Sequence, residues 1–180
     1  GVELARQPCL QLALLLQPDG RIIAGGSFTT AQPNGAATAT TRNYIARLNP
    51  DGTLDASYNP NPNGFVLALA LHVDGKVVVG GGFTSFKPGN EVDATTRNRI
   101  ARLNPSGTVD SEFSPNADNG VTCLAVQRDG KIILGGFFST LQPPTDEGPS
   151  SRDRLARLNP DGTLDSEFYP KADGSVMAVA

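Results

Sequence analysis

Histidine and cysteine are almost missing from this chain of 180 residues: His72 stands alone, and Cys9 and Cys123 are the only thiols. Without a second imidazole there is no histidine pair for zinc. His72 also sits at the edge of a hairpin, at the phase held elsewhere by Gln17 and Gln127, so it reads as a polar, solvent-facing turn residue and not as the base of a Ser–His pair. The two cysteines are too few for a disulfide framework and fall at different phases of the sequence pattern described below, so they read as isolated thiols, with a Cys9–Cys123 bridge as the alternative. Runs of like charge are missing too. The 15 basic and 18 acidic residues are interspersed and leave a net charge of −3, which argues against a nucleic-acid partner, since that surface needs clustered Lys and Arg. No apolar run approaches the ~18 residues of a membrane span.

What is present is repetition. Residues 43–58 read NYIARLNPDGTLDASY, residues 98–113 NRIARLNPSGTVDSEF and residues 153–168 DRLARLNPDGTLDSEF. Ala46, Ala101 and Ala156 are 55 apart, as are Gly20, Gly75 and Gly130, and Phe28, Phe83 and Phe138 (101 − 46 = 156 − 101 = 55). A fixed period of this length marks a stacked or radial array of supersecondary units. The units are 11–65, 66–120 and 121–175; residues 1–10 form an unmatched leading segment, and 176–180 repeat the phase that opens a unit. The sequence thus reads either as a piece of a longer array or as a protomer completed by neighbours.

Each unit predicts four strands. In the second, Val66–Leu71 is a wholly apolar run suited to a strand covered on both faces. Asp74-Gly75 marks a tight turn into the β-branched run Val77-Val78-Val79. Residues 99–104 form a third strand, and Pro105-Ser106-Gly107 turns into a fourth at Thr108-Val109-Asp110. That register sets Asn104 against Thr108, Leu103 against Val109 and Arg102 against Asp110. The same offset pairs Arg47 with Asp55 and Arg157 with Asp165, an opposite-charge pair at one cross-strand position in every unit. These six residues are the expected structural site; a covered pair would fix register.

Other motifs point to turns and packing. Asn49-Pro50-Asp51-Gly52-Thr53-Leu54-Asp55 has oxygen-bearing residues around a glycine, as calcium loops do, but Ser106 breaks the pattern in the second unit and the bidentate Glu is lacking. A hairpin turn accounts for every residue. Gly80-Gly81-Gly82 and Gly25-Gly26 lead into Phe and a polar loop, not into a helix, so they read as points of close strand or blade approach and not as a phosphate cradle. Phe28, Phe83 and Phe138 read as core, with a ligand-facing set as the alternative. The polar loops 29–41, 84–96 and 139–151 keep their length while their sequence varies; they read as solvated connectors, or else as a binding surface on a fixed scaffold.

Four strands with an apolar first strand is the pattern of a propeller blade, so the expected fold is all-β: three blades of a β-propeller, with a β-trefoil of three four-stranded units as the rival. GKVVVGGGF (75–83) followed by RIARLNPSGTVDSEF (99–113) resembles the delta-60 repeat, although the period of 55 is slightly short for it. The resemblance covers nearly the whole chain. It implies propeller blades in tandem arrays of bacterial proteins that are secreted or surface-attached, and it transfers no catalytic residue. The expected function is an extracellular or cell-surface structural or adhesive scaffold, a filament subunit for example, whose partners are other copies of itself or further repeats. A glycan-binding module is the second reading and a propeller enzyme the third. No catalytic residue, metal or cofactor is expected. The apolar segments 12–16 and 176–180 share a strand phase, so the carboxyl-terminal strand is expected to enter a blade of a second copy or of further sequence.

Overall fold

A computed structural model describes residues 3–4, 12–33, 35–89, 91–143 and 148–180. Cys9, and with it the Cys9–Cys123 alternative, lies outside the described residues; Cys123 is a free, buried thiol. Sixteen strands and no helix occur among the described residues. They are β1 Glu3–Leu4, β2 Ala13–Leu16, β3 Ile22–Gly25, β4 Thr30–Gln32, β5 Thr40–Thr41, β6 Ile45–Leu48, β7 Val66–Leu71, β8 Val77–Gly81, β9 Ser85–Phe86, β10 Thr95–Thr96, β11 Ile100–Leu103, β12 Val121–Val126, β13 Ile132–Gly136, β14 Thr140–Leu141, β15 Ser150–Ser151 and β16 Leu155–Leu158.

Each unit folds as one antiparallel blade, in the orders β2-β3-β6, β7-β8-β11 and β12-β13-β16. The fourth strand is reduced to one bridge per blade: Leu48 with Leu54, Leu103 with Val109, and Leu158 with Leu164. The loop after the second strand is more ordered than a solvated connector. It rises as a short ribbon, β4 with β5, β9 with β10 and β14 with β15. Pairs of two or three residues are too short to leave an alternating pattern, which is why the sequence shows only a polar loop. β1 joins the first ribbon, Leu4 opposite Ala31. In the later units single bridges fill that place, Pro62 with Phe86 and Ala117 with Leu141.

The tight turns follow from local chemistry. Gly75 stands at φ 83°, where a side chain would be strained. Its N–H donates to the His72 carbonyl at 3.0 Å, and Asp74 Oδ1 accepts from the Lys76 N–H at 3.0 Å. In the Asn49–Asp55 segment Asp51 does the same for Thr53, accepting its hydroxyl at 2.6 Å. That aspartate is committed to the turn, and among the described residues no group of three or more His, Cys, Asp or Glu is placed to hold a metal ion.

Blades stack in sequence, with β7 against β2 and β12 against β7. All of β8 is buried because each of its faces meets a blade, whereas β2 alternates between half-buried and exposed residues. Phe28, Phe83 and Phe138 are fully buried core residues, and Phe83 meets Phe86 edge to face at 4.7 Å. Glycines set the blade spacing: a Cβ on Gly80 would lie 2.8 Å from Val121 Cγ1, and one on Gly25 would lie 2.4 Å from Val66 Cγ1.

Candidate functional site: the arginine and aspartate clusters of the seams

The recurring charges meet at the hairpin between the third strand and the bridge that follows it. In the second blade the Arg102 carbonyl accepts from the Asp110 N–H at 2.8 Å, and Arg102 Nε donates to Asp110 Oδ2 at 2.7 Å. In the first blade Arg47 Nε is 2.9 Å from Asp55 Oδ2, and in the third Arg157 Nε is 2.8 Å from Asp165 Oδ2. The first two pairs are covered: Arg102 and Asp110 side chains each keep only 7 % exposure, because the next blade closes over them.

Three further contacts extend each pair. A cation from the first hairpin joins the same carboxylate, with Lys76 Nζ at 2.9 Å from Asp110, Lys131 Nζ at 2.8 Å from Asp165 and Arg21 Nε at 3.9 Å from Asp55. The other aspartate oxygen closes a turn by accepting the N–H two residues on, Ser57, Glu112 or Glu167. The guanidinium lies over an aromatic ring, 4.1 Å from the Tyr58 centroid and 4.6 Å from those of Phe113 and Phe168. Its outer nitrogen then crosses the seam: Arg47 Nη1 donates to the Pro105 carbonyl at 2.6 Å, and Arg102 Nη1 to that of Pro160. The cluster thus ties one blade to the next.

These contacts set the charge states. Burial pushes the Asp55 and Asp110 carboxyls up, but the hydrogen bonds and cations around them outweigh it and hold both below the ordinary carboxylate range. For Asp165 the Lys131 hydrogen bond leads, and the pKa falls to about 2. Burial pushes the Tyr58 phenol up, and its hydroxyl has no hydrogen-bond partner among the described residues. The other two blades carry phenylalanine at this phase. Tyr58→Phe is expected to leave stability unchanged or raise it by up to about 1 kcal/mol, since no donor or acceptor is orphaned. Urea titration checks this; a loss above about 1 kcal/mol would show that the hydroxyl has a role.

A second arginine set, Arg42, Arg97 and Arg152, recurs at the same 55-residue step but carries no cross-strand partner that would single it out in the sequence. Arg97 is buried and caps backbone carbonyls: its Nε donates to Phe113 at 3.0 Å and its Nη2 to Asp110 at 3.0 Å and Ser111 at 3.1 Å. His72 differs from the expected solvent-facing residue, being 5 % exposed. Its Nε2 lies 3.1 Å from the Gly130 carbonyl and its Nδ1 2.7 Å from Asp74 Oδ1. The hairpin of the following blade covers it, a neighbour 58 residues away that local sequence does not reveal. Phe86, the only aromatic residue of the three variable loops, is fully buried and so is closed to a ligand.

Successive antiparallel blades joined by seam-crossing arginines define a propeller segment of three blades. Residues 17–58, 74–113 and 127–168 match the family described as "Domain of unknown function (DUF5122) beta-propeller", and the chain belongs to that family. The trefoil alternative is thereby set aside. No curated protein matches the chain. Among solved structures it is similar to a protein described as a "putative gluconolactonase", at 21% identity and TM-score 0.44, over 84% of this chain and 44% of that one. The chain therefore spans less than half of that protein's length.

Proposed function

We propose that this propeller segment is a structural or adhesive scaffold displayed outside the cell. The observation that carries the reading is where the recurring polar side chains go. Arg47, Arg97, Arg102, Lys76 and Asp110 all direct their hydrogen bonds at the blades' own carbonyls, N–H groups and carboxylates. Such groups hold a surface in place and leave no donor aimed at a reacting atom. The ribbon loops at 29–41, 84–96 and 139–151 keep their length while their sequence varies, as on a scaffold that presents interchangeable surfaces. The extracellular location comes from the delta-60 resemblance. A glycan-binding module is the second reading, favoured by the same constant loop length and weakened by the burial of Phe86.

Two measurements test the scaffold reading. An antibody against the chain should label intact, unpermeabilised cells of the producing organism or its medium, and a hydrolase panel should find no turnover. Labelling confined to the cell interior, or turnover lost on substituting one non-repeated residue, would overturn it.

A further inference from the structure

We propose that the Asn119–Gly120 peptide, at the entrance to the third blade, is a self-modification site: the Gly120 nitrogen attacks the Asn119 side chain, expels ammonia and leaves a succinimide that water opens to aspartate or isoaspartate. The inference is independent of the scaffold reading and needs no partner, cofactor or enzyme.

Three Asn-Gly dipeptides occur in the chain, at 34–35, 63–64 and 119–120. Asparagine is a thermolabile residue, and a following glycine, lacking a Cβ, leaves the attacking nitrogen unobstructed. Local sequence therefore ranks the three alike. Asn34 lies outside the described residues. The other two stand just ahead of β7 and β12, one residue out of phase with each other, and both asparagines are exposed. Exposure does not separate them. Bonding does.

At Asn63 the carboxamide is pinned. Its Oδ1 accepts the Thr84 N–H at 2.8 Å and the Ser85 N–H at 3.0 Å, and its Nδ2, the nitrogen that would have to leave, donates to Thr84 Oγ1 at 2.8 Å. Gly64 is wedged against backbone as well, since a Cβ there would lie 3.0 Å from Phe83 Cα and 3.1 Å from the Gly82 carbonyl oxygen. Ring closure at this site has to break three hydrogen bonds first. In the next unit Asp118 holds the phase of Asn63 and takes over its role, accepting the Ser139 and Thr140 N–H groups at 2.8 and 3.1 Å. Asn119 beside it is left without that duty.

At Asn119 the Gly120 N–H donates to the residue's own Oδ1 at 2.8 Å. Nucleophile and carboxamide are thus already folded onto each other, which is the condition for an intramolecular attack. The Asn119 Nδ2 has no partner among the described residues. A Cβ on Gly120 would meet nothing closer than 3.7 Å, so the ring has room to close. The Gly120 nitrogen gives up its proton to solvent, the N–Cγ bond forms and the Cγ–Nδ2 bond breaks, with ammonia leaving after taking a proton from solvent. Water then adds to the succinimide. Breaking N–Cγ yields aspartate; breaking the original main-chain N–C bond yields isoaspartate, with one extra methylene in the backbone. The net change is amide plus water to acid plus ammonia.

The position gives this modification its reach. The Gly120 carbonyl accepts the Phe137 N–H at 2.8 Å. Val121, fully buried, stands on Gly80 of the second blade. Isoaspartate lengthens the backbone directly ahead of both contacts and so loosens the seam between the second and third blades.

Peptide mapping by mass spectrometry on the folded chain, held at mildly alkaline pH, tests this, because the three dipeptides fall on separate tryptic peptides. Asn119 is expected to convert about tenfold or more faster than Asn63, with isoaspartate identified by methyltransferase labelling. In the urea-unfolded chain the two should convert at similar rates. Gly120→Ala should suppress the conversion and keep the β circular-dichroism spectrum; should that variant fail to fold, the folded and unfolded wild-type rates decide. The isoaspartate-bearing fraction should melt below the unconverted one. Equal rates at Asn63 and Asn119 in the folded chain, or an Asn119 rate that rises on unfolding, would overturn the site. An unchanged melting temperature would overturn its reach onto the seam.

Discussion

Gly81→Ala is expected to destabilise the chain by about 3 kcal/mol or more, at the upper end for overpacking. A Cβ at this position would lie 2.2 Å from the Phe65 carbonyl oxygen and 3.1 Å from Val66 Cα. Both obstacles are backbone, so no rotamer change relieves the clash. They lie at the irregularity where β7 shifts register between Val66 and Ala68, and the Gly82 N–H donates to that same Phe65 carbonyl at 2.9 Å. Separating the strands would also lift Val66 off Gly25 and open the seam. Gly136, where a Cβ would lie 2.2 Å from the Gly120 carbonyl oxygen, should behave alike. Gly174→Ala, with nothing within 4 Å and no positive φ, is the control and should be neutral. Thermal unfolding should show a fall of about 6–12 °C for Gly81→Ala, taking about 2–4 °C per kcal/mol for a chain of this size. A shift no larger than that of the control would refute the account of close strand approach.

Asp110→Ala is expected to cost about 3 kcal/mol, because it removes the carboxylate that both the covered Arg102 guanidinium and Lys76 contact directly and leaves Asp74, 3.9 Å from Lys76, as the nearest recorded ion-pair partner of that lysine. Asp110→Asn should recover part of the loss by keeping the turn acceptor for the Glu112 N–H. The cluster also imposes a pH dependence. The Asp55, Asp110 and Asp165 carboxyls sit below their ordinary value in the folded chain. The stability they contribute is therefore complete above the unfolded value of about 3.9 and is lost as pH falls through the folded values. Denaturation midpoints measured between pH 5 and pH 2 should fall steeply for the wild type and less steeply for Asp110→Asn. Parallel curves for the two would show that the carboxylate is not under load.

How much of this was legible beforehand depended on range. Strand, turn and cross-strand pairing all act within about ten residues, and there the hairpin register of 102–110 could be read from turn length alone. The partners of those same residues across the seam could not. The Pro105 and Pro160 carbonyls that receive Arg47 and Arg102 are backbone atoms with no residue signature, and they lie 58 residues from the donor. His72 was misplaced for the same reason, its cover being the Gly130 carbonyl. The cations Lys76 and Lys131 did recur at the repeat step, and so did Arg97 and Arg152, so periodicity could have flagged both sets. Their roles depended on a hairpin neighbour in one case and on backbone carbonyls in the other, and spacing alone names neither.

The seam has a consequence for how such a chain can change length in the course of descent. Arg47, Tyr58 and Gly25 on one blade address Pro105, Gly107 and Val66 on the next, and Arg102, Phe113 and Gly80 address Pro160, Gly162 and Val121. If an exchange between repeats excised residues 66–120, Arg47 would face Pro160, Tyr58 would face Gly162 and Gly25 would face Val121. Every junction would be chemically intact. Gain or loss of whole 55-residue units is therefore close to neutral at the junctions, whereas an insertion inside β3, β6 or β7 would turn the addressing side chains away from their partners.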